Sequence, residues 1–179
     1  MTAWFMDNDN LKPSIHTDAI SLSVMSIVHS TSVDGIGLRN ALYTAGCNLR
    51  CEHCHNRESW DIEAGTWQTL EEVYDQLNVD FFPISILGGE PLMQGDAIMA
   101  LCRMIKERTA KNIWLWTGHT FEYVQNHYPE LLSYIDVLVD GRYEEARRDE
   151  TLLWRGSSNQ RVIDVPKTIQ SSTIVCLDD

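Results

Sequence analysis

Arg39-Asn-Ala-Leu-Tyr-Thr-Ala-Gly-Cys47-Asn-Leu-Arg-Cys51-Glu-His-Cys54 is the stretch from which the rest of this chain is read. Its first seven residues have the character of a β-strand. They run straight into a loop that holds three of the five cysteines, spaced Cys-x3-Cys-x2-Cys. Three thiolates can hold three corners of a cubane iron–sulfur cluster, whereas clusters that only pass electrons are normally held by four. A three-Cys set leaves one coordination position open, as a catalytic metal site does. That position can bind a substrate, so the chain reads as an enzyme. The competing reading is a zinc knuckle with His53 or His55 as fourth ligand, in a zinc-stabilised interaction module. Zinc sites usually pair their ligands as two separated Cys-x2-Cys units. No second pair stands in this sequence: Cys102 lies on a helical pattern and Cys176 near the C-terminus.

The chain has 179 residues, enough for one domain with a real core. An odd number of cysteines, three of them within eight positions, is not a secreted disulfide framework. In a reducing compartment it reads as metal or redox chemistry. No apolar run is long enough to span a bilayer, and the first residues lack a basic segment followed by an apolar one. The expected location is cytoplasmic, with no membrane contact. The formal charge of −12, from 26 acidic and 14 basic residues, repels phosphate backbones and makes nucleic acid an unsuitable partner.

Outward from the cysteine loop, strands and helices alternate. Residues 21–28 alternate as a strand, and 33–38 (VDGIGL) form a glycine-containing turn. Thr69-Leu-Glu-Glu72 is a capping box that opens a helix through Leu77. Residues 83–87 form a short apolar strand ending at Gly88-Gly89. Asp96 is the expected cap of a helix whose buried face is Ile98, Leu101, Cys102 and Ile105. Strands follow at 113–116 and 135–139, separated by a helical stretch, 120–134, that breaks near Pro129. A last strand is expected at 161–165. This order implies βαβ units and a mainly parallel α/β sheet. The cysteine loop, Gly88-Gly89-Glu90-Pro91, Thr117-Gly118 and Asp140-Gly141 then all follow strand C-termini, the edge where such sheets bind ligands. The units are too few for a closed eight-stranded barrel, so an open barrel or curved sheet with a lateral mouth is expected.

Cys47, Cys51 and Cys54 in this pattern resemble the signature of the radical S-adenosylmethionine (SAM) superfamily. Gly88-Gly89-Glu90-Pro91 resembles its second motif, whose backbone receives the SAM amino group; glycine lets a ligand approach the main chain closely. Asp34-Gly35-x-Gly37-Leu38-Arg39 is similar to the activases of glycyl radical enzymes. The run from Cys54 to Asp61 is similar to the activase of pyruvate formate-lyase. Ile113-Trp-Leu-Trp-Thr-Gly118, the run from Ile135 to Gly141, and Trp154-Arg-Gly-Ser-Ser-Asn-Gln-Arg161 resemble the activating proteins of anaerobic (class III) ribonucleotide reductase. These longer segments carry more weight. The family pattern often has a small residue at the place of His53 and Tyr at that of His55.

The resemblance covers about residues 21–165. It implies an open β/α barrel of the radical SAM type over 21–165, an N-terminal extension over 1–20 and a tail over 166–179. It implies one 4Fe–4S cluster per chain on Cys47, Cys51 and Cys54, with SAM as the second cofactor. SAM contacts fall to His53, Asn56, Gly88, Gly89, Glu90 and Thr117, and no catalytic side chain is implied beyond the cluster ligands. The implied activity is reductive cleavage of SAM to generate a glycyl radical on anaerobic ribonucleotide reductase, with a flavodoxin-like one-electron donor. Pyruvate formate-lyase or another glycyl radical enzyme is the alternative target. A small-molecule enzyme of the 7-carboxy-7-deazaguanine synthase type is the alternative activity. Asn56 is expected to shape its loop by side chain-to-backbone bonds. Arg39 either faces the cluster mouth or flanks a strand, Asp140 either positions a ligand or forms an Asx turn, and Trp60, Trp114 and Trp116 are expected in the core.

Overall fold

The computed structural model describes residues 20–177. These form strands β1 (Ser21–Thr31), β2 (Arg39–Thr44), β3 (Thr66–Thr69), β4 (Ile84–Gly88), β5 (Ile113–Trp116), β6 (Val137–Asp140) and β7 (Arg161–Asp164). The helices are α1 (Leu70–Leu77), α2 (Gly95–Arg108), α3 (Phe121–His127) and α4 (Val165–Ser171). The expected N-terminal extension lies, except for Ile20, outside the described residues. No helix among the described residues is long and apolar enough to cross a membrane.

The strands make one sheet in the order β3-β1-β2-β4-β5-β6-β7. Strands β2, β4, β5 and β6 are mutually parallel, while β1, β3 and β7 pair antiparallel with their neighbours. The sheet is therefore mixed rather than mainly parallel. The reason lies in the connections. The short loop 32–38 can only fold β1 and β2 into a hairpin, whereas a parallel neighbour needs a long crossover. Such crossovers run through α1, α2 and α3.

Period-two alternation gives the sheet two unlike faces. Ile113 and Leu115 of β5 join Leu42, Ile86 and Leu138 in a core covered by α1 and α2. Trp114, between them in sequence, packs on the other face with Val137, Val139 and Val162. Thr69 closes the expected capping box with Glu72 in both directions. The cap of α2 is corrected: Gln94, not Asp96, occupies that position. Gln94 makes no cap bond, because its amide ties the backbones of Ser23 and Ala45 together at 2.8–3.0 Å. Asp96 sits in the first turn, where a carboxylate favours the positive end of the helix dipole. Beyond β7 the chain continues as α4, capped by Asp164, and Leu177 then donates its backbone N–H to Val162 at 2.8 Å.

Candidate active site

Because β2, β4, β5 and β6 run the same way, the loops that follow them converge. The cysteine loop, Gly88–Gly89, Thr117–Gly118 and Gly141 line one cavity of about 730 Å³. All nine residues singled out from the sequence line it: Cys47, Cys51 and Cys54; His53 and Asn56; Gly88, Gly89, Glu90 and Thr117. Another wall is the segment 143–160, whose Trp154 packs on the sheet face that carries Trp114.

Backbone bonds hold the cysteine loop. Gly46 donates to Ser59 O at 2.8 Å and Cys47 to Trp60 O at 3.1 Å. Arg50 and His53 take left-handed backbone conformations, with φ of 52° and 54°, which few non-glycine residues adopt. Cys47 is buried, while Cys51 and Cys54 are half-buried. Burial pushes the Cys47 thiol up, and the nearby peptide N–H groups of Leu49 and Arg50 oppose the rise. N–H groups near a sulfur favour its charged form, the form a metal-bound thiolate takes. Trp60 adds a buried indole N–H that finds no partner among the described residues. The three thiols and the unpartnered Trp60 N–H beside them in the cavity fit an iron–sulfur cluster. Among the described residues, no three His, Cys, Asp or Glu side chains come together as ligands of a single metal ion.

The two glycines serve the protein's own packing. Gly88 has φ of +122°, and a Cβ there would stand 2.4 Å from Thr44 N. A Cβ on Gly89 would stand 2.3 Å from Gly46 O. Their close approach is to the backbone that launches the cysteine loop. Gly89 N donates to Thr44 O at 2.9 Å and Glu90 N to Gly46 O at 2.8 Å. Glu90 is fully buried and braces a second pair of loops. Its Oε1 accepts from Thr117 Oγ1 at 2.7 Å and Leu92 N at 3.0 Å, and its Oε2 accepts from Gly118 N at 2.7 Å. Burial raises the Glu90 pKa, and these three donors oppose the rise.

Several expectations are corrected. The Asn56 side chain makes no cap bond; its carbonyl instead accepts from Ser59 N and Oγ. Arg39 does not face the cluster mouth. It is buried at the start of β2, donates to Ser85 Oγ at 2.7 Å and Ile84 O at 2.6 Å, and lies over the Trp114 ring. Asp140 holds the α3 N-terminus through Phe121 N at 2.7 Å and pairs with Arg161. Trp114 is in the core, but Trp60 and Trp116 line the cavity. Sequence reasoning did not assign Asp34 and Tyr43 to the cavity wall. Tyr43 donates to Asp34 Oδ2 at 2.9 Å, and Thr31 donates to the same oxygen at 2.8 Å. The Asp-Gly-x-Gly motif was the available signal for Asp34.

A family model described as a 4Fe-4S single cluster domain matches residues 33–163. The chain is 38% identical over 137 residues to the anaerobic ribonucleoside-triphosphate reductase-activating protein of Enterobacteria phage T4, covering 73% of this chain and 86% of that protein. It is 36% identical over 138 residues to the protein of that name from Vibrio cholerae, covering 72% and 88%. To the one from Escherichia coli it is 33% identical over 139 residues, covering 73% and 90%. The chain belongs to the anaerobic ribonucleoside-triphosphate reductase-activating proteins. For an activating protein, the 4Fe–4S model favours the cluster reading of the cysteines over the zinc knuckle. The matched stretch starts at the Asp34 loop, crosses all four cavity loops and ends inside β7.

Proposed function

We propose that this activating protein holds a 4Fe–4S cluster on Cys47, Cys51 and Cys54, cleaves SAM, and generates a glycyl radical on an anaerobic ribonucleotide reductase. One observation carries the reading. The three cysteines, the Gly88-Gly89-Glu90 turn and Thr117 share one cavity at the C-terminal edge of parallel strands. The unclosed seven-stranded sheet is read as the open barrel of the radical SAM type.

When bound, the cluster supplies the single electron that splits the sulfonium of SAM into methionine and a deoxyadenosyl radical able to take a hydrogen atom from a glycine Cα. The chain's own residues position and enclose. Gly88 and Gly89 direct their following N–H groups inward to Thr44 and Gly46. Their carbonyls are the groups left to accept an ammonium at the cavity wall. Both Glu90 oxygens are engaged by protein donors, so Glu90 fixes the shape of the pocket rather than reacting. Hydrogen-atom transfer depends on placement more than on proton chemistry, in keeping with the bracing of Glu90 by three donors. His53 and Asn56 also line the cavity and are the proposed adenine contacts. A flavodoxin-like protein is the proposed source of the electron.

The test is dithionite-dependent formation of 5'-deoxyadenosine from SAM by anaerobically reconstituted protein. Product formation that is lost, together with the cluster, in Cys51→Ala supports the reading. SAM cleavage retained in Cys51→Ala refutes the ligand assignment. Radical formation on the reductase is read by the glycyl radical EPR signal.

A further inference from the structure

The turn at Asp140-Gly141 and the segment 154–161 stood out in the sequence without a chemical step. In the structure they share one task, which is to aim Arg142. Gly141 takes φ of +97° and donates its N–H to His119 O at 3.0 Å. Gln160 Nε2 donates to Gly141 O at 2.9 Å, and Asn159 Nδ2 donates to Arg142 O at 2.7 Å. Arg161 is anchored on Asp140. From this fixed base, Arg142 Nη2 reaches more than ninety residues back in sequence. It donates to Leu49 O at 2.5 Å and to Arg50 O at 3.3 Å, two of the three carbonyls of the residues between Cys47 and Cys51.

The peptide arithmetic matters. Leu49 C=O and Arg50 N–H belong to one peptide group. A cation on its oxygen polarises its N–H, and chains of hydrogen bonds strengthen one another in this way. That peptide lies in the three-residue link between Cys47 and Cys51, so the Arg142 charge sits on the loop that carries two of the three thiols. Hydrogen bonds to ligand sulfurs and nearby charge set the reduction potential of iron–sulfur clusters.

We propose that Arg142 is a positioning residue that straps the 143–160 wall of the cavity to the cysteine loop and, through the Leu49–Arg50 peptide, makes the cluster easier to reduce. The inference rests on the cysteines being the cluster ligands. Full-length, anaerobically reconstituted protein is titrated with dithionite under EPR. Arg142→Gln is expected to lower the ratio of reduced to oxidised cluster at a fixed potential by about tenfold, a shift of about 59 mV for a one-electron couple. Arg142→Lys, which keeps the charge, is expected to recover most of it. Arg147→Gln, which removes a cation paired with Glu144 on the same segment, is expected to match the wild type. Arg142→Gln with full iron content and a wild-type potential overturns the proposal, as does an equal shift in Arg147→Gln. Should Arg142→Gln fail to load, Asn159→Ala decides: it keeps Arg142 but frees its backbone, and a wild-type potential there also overturns the proposal. Absence of any cluster signal from wild-type protein instead refutes the assignment of the cysteines.

Discussion

Gly89→Ala separates two accounts of the glycine turn: room for a ligand, or room for the protein's own backbone. The new Cβ would meet Gly46 O at 2.3 Å, Gly46 C at 2.9 Å and Ser59 O at 3.0 Å. All three are backbone atoms, so no side-chain rotation relieves the overlap. The turn must move away from the cysteine loop. The Glu90 N–Gly46 O bond and the neighbouring Gly46 N–Ser59 O bond, both 2.8 Å, are then stretched or broken. Two backbone bonds at about 1 kcal/mol each, plus about 1–3 kcal/mol for overpacking, give a loss of about 3–5 kcal/mol. Gly37→Ala is the control. Its Cβ meets nothing within 4 Å, and only its φ of +75° resists, at about 1 kcal/mol. Urea denaturation of the cluster-free proteins measures both, and iron per chain after reconstitution measures the loop. A Gly89→Ala protein within about 0.5 kcal/mol of wild type and with full iron content refutes the backbone account.

Two further predictions concern ionisable groups whose pKa values are raised. In Glu90→Gln the amide NH2 must face a donor on one side or the other, since Thr117, Leu92 and Gly118 all donate to the carboxylate. A loss of about 1–3 kcal/mol at neutral pH follows, seen as a lower denaturation midpoint. Because burial raises the Glu90 pKa above its ordinary 4.5, the folded state binds its proton more readily than the unfolded chain. Wild type therefore gains stability from this group as pH falls from 7 toward 4.5, and the gap to Glu90→Gln should widen; a constant gap refutes the assignment. Burial, and then the bond to Asp34, raise the Tyr43 pKa above 10.0. That contribution is complete below pH 10 and is lost as pH rises beyond it. Tyr43→Phe should cost about 1.5–3 kcal/mol at neutral pH and flatten the alkaline fall in stability. An alkaline profile parallel to wild type would contradict the pairing.

The four cavity loops were legible because each combines two local signals, an apolar strand and a turn residue at its end. The strand 113–116 and the Thr69 capping box need nothing beyond neighbours in sequence, and both stand where expected. What was not legible depends on partners far along the chain. β3 is four residues of Thr-Trp-Gln-Thr, with no pattern of its own, and exists because β1 offers an open edge. Gln94 looked like a loop residue before an Asp cap, yet its amide is held by Ser23 and Ala45. Arg39 has the charge of a mouth residue. Its burial follows from Ser85 and the carbonyls of Ile84 and Asn112, forty-five or more residues away. Trp114 and Trp116 have the same strand parity and share the face opposite α1 and α2, and only the position along the strand puts one in the core and the other in the cavity.

On the proposed reading, a site that presents three thiolates has to fix them without covering them. Side-chain anchors in the loop would occupy the space the ligand needs. This chain fixes its loop from behind and from above instead. From behind, Gly88 and Gly89 let β4 approach Thr44 and Gly46 so closely that backbone bonds hold the loop's first residue. From above, Arg142 takes the carbonyls of Leu49 and Arg50. Both devices act on main-chain atoms and leave the thiols facing the cavity. Glu90 applies the same logic to the neighbouring strand ends, joining Leu92, Thr117 and Gly118 through one buried carboxylate. The sequence motif Gly-Gly-Glu is thus a mechanical joint between three loops, and its chemistry follows from where that joint holds the cysteines.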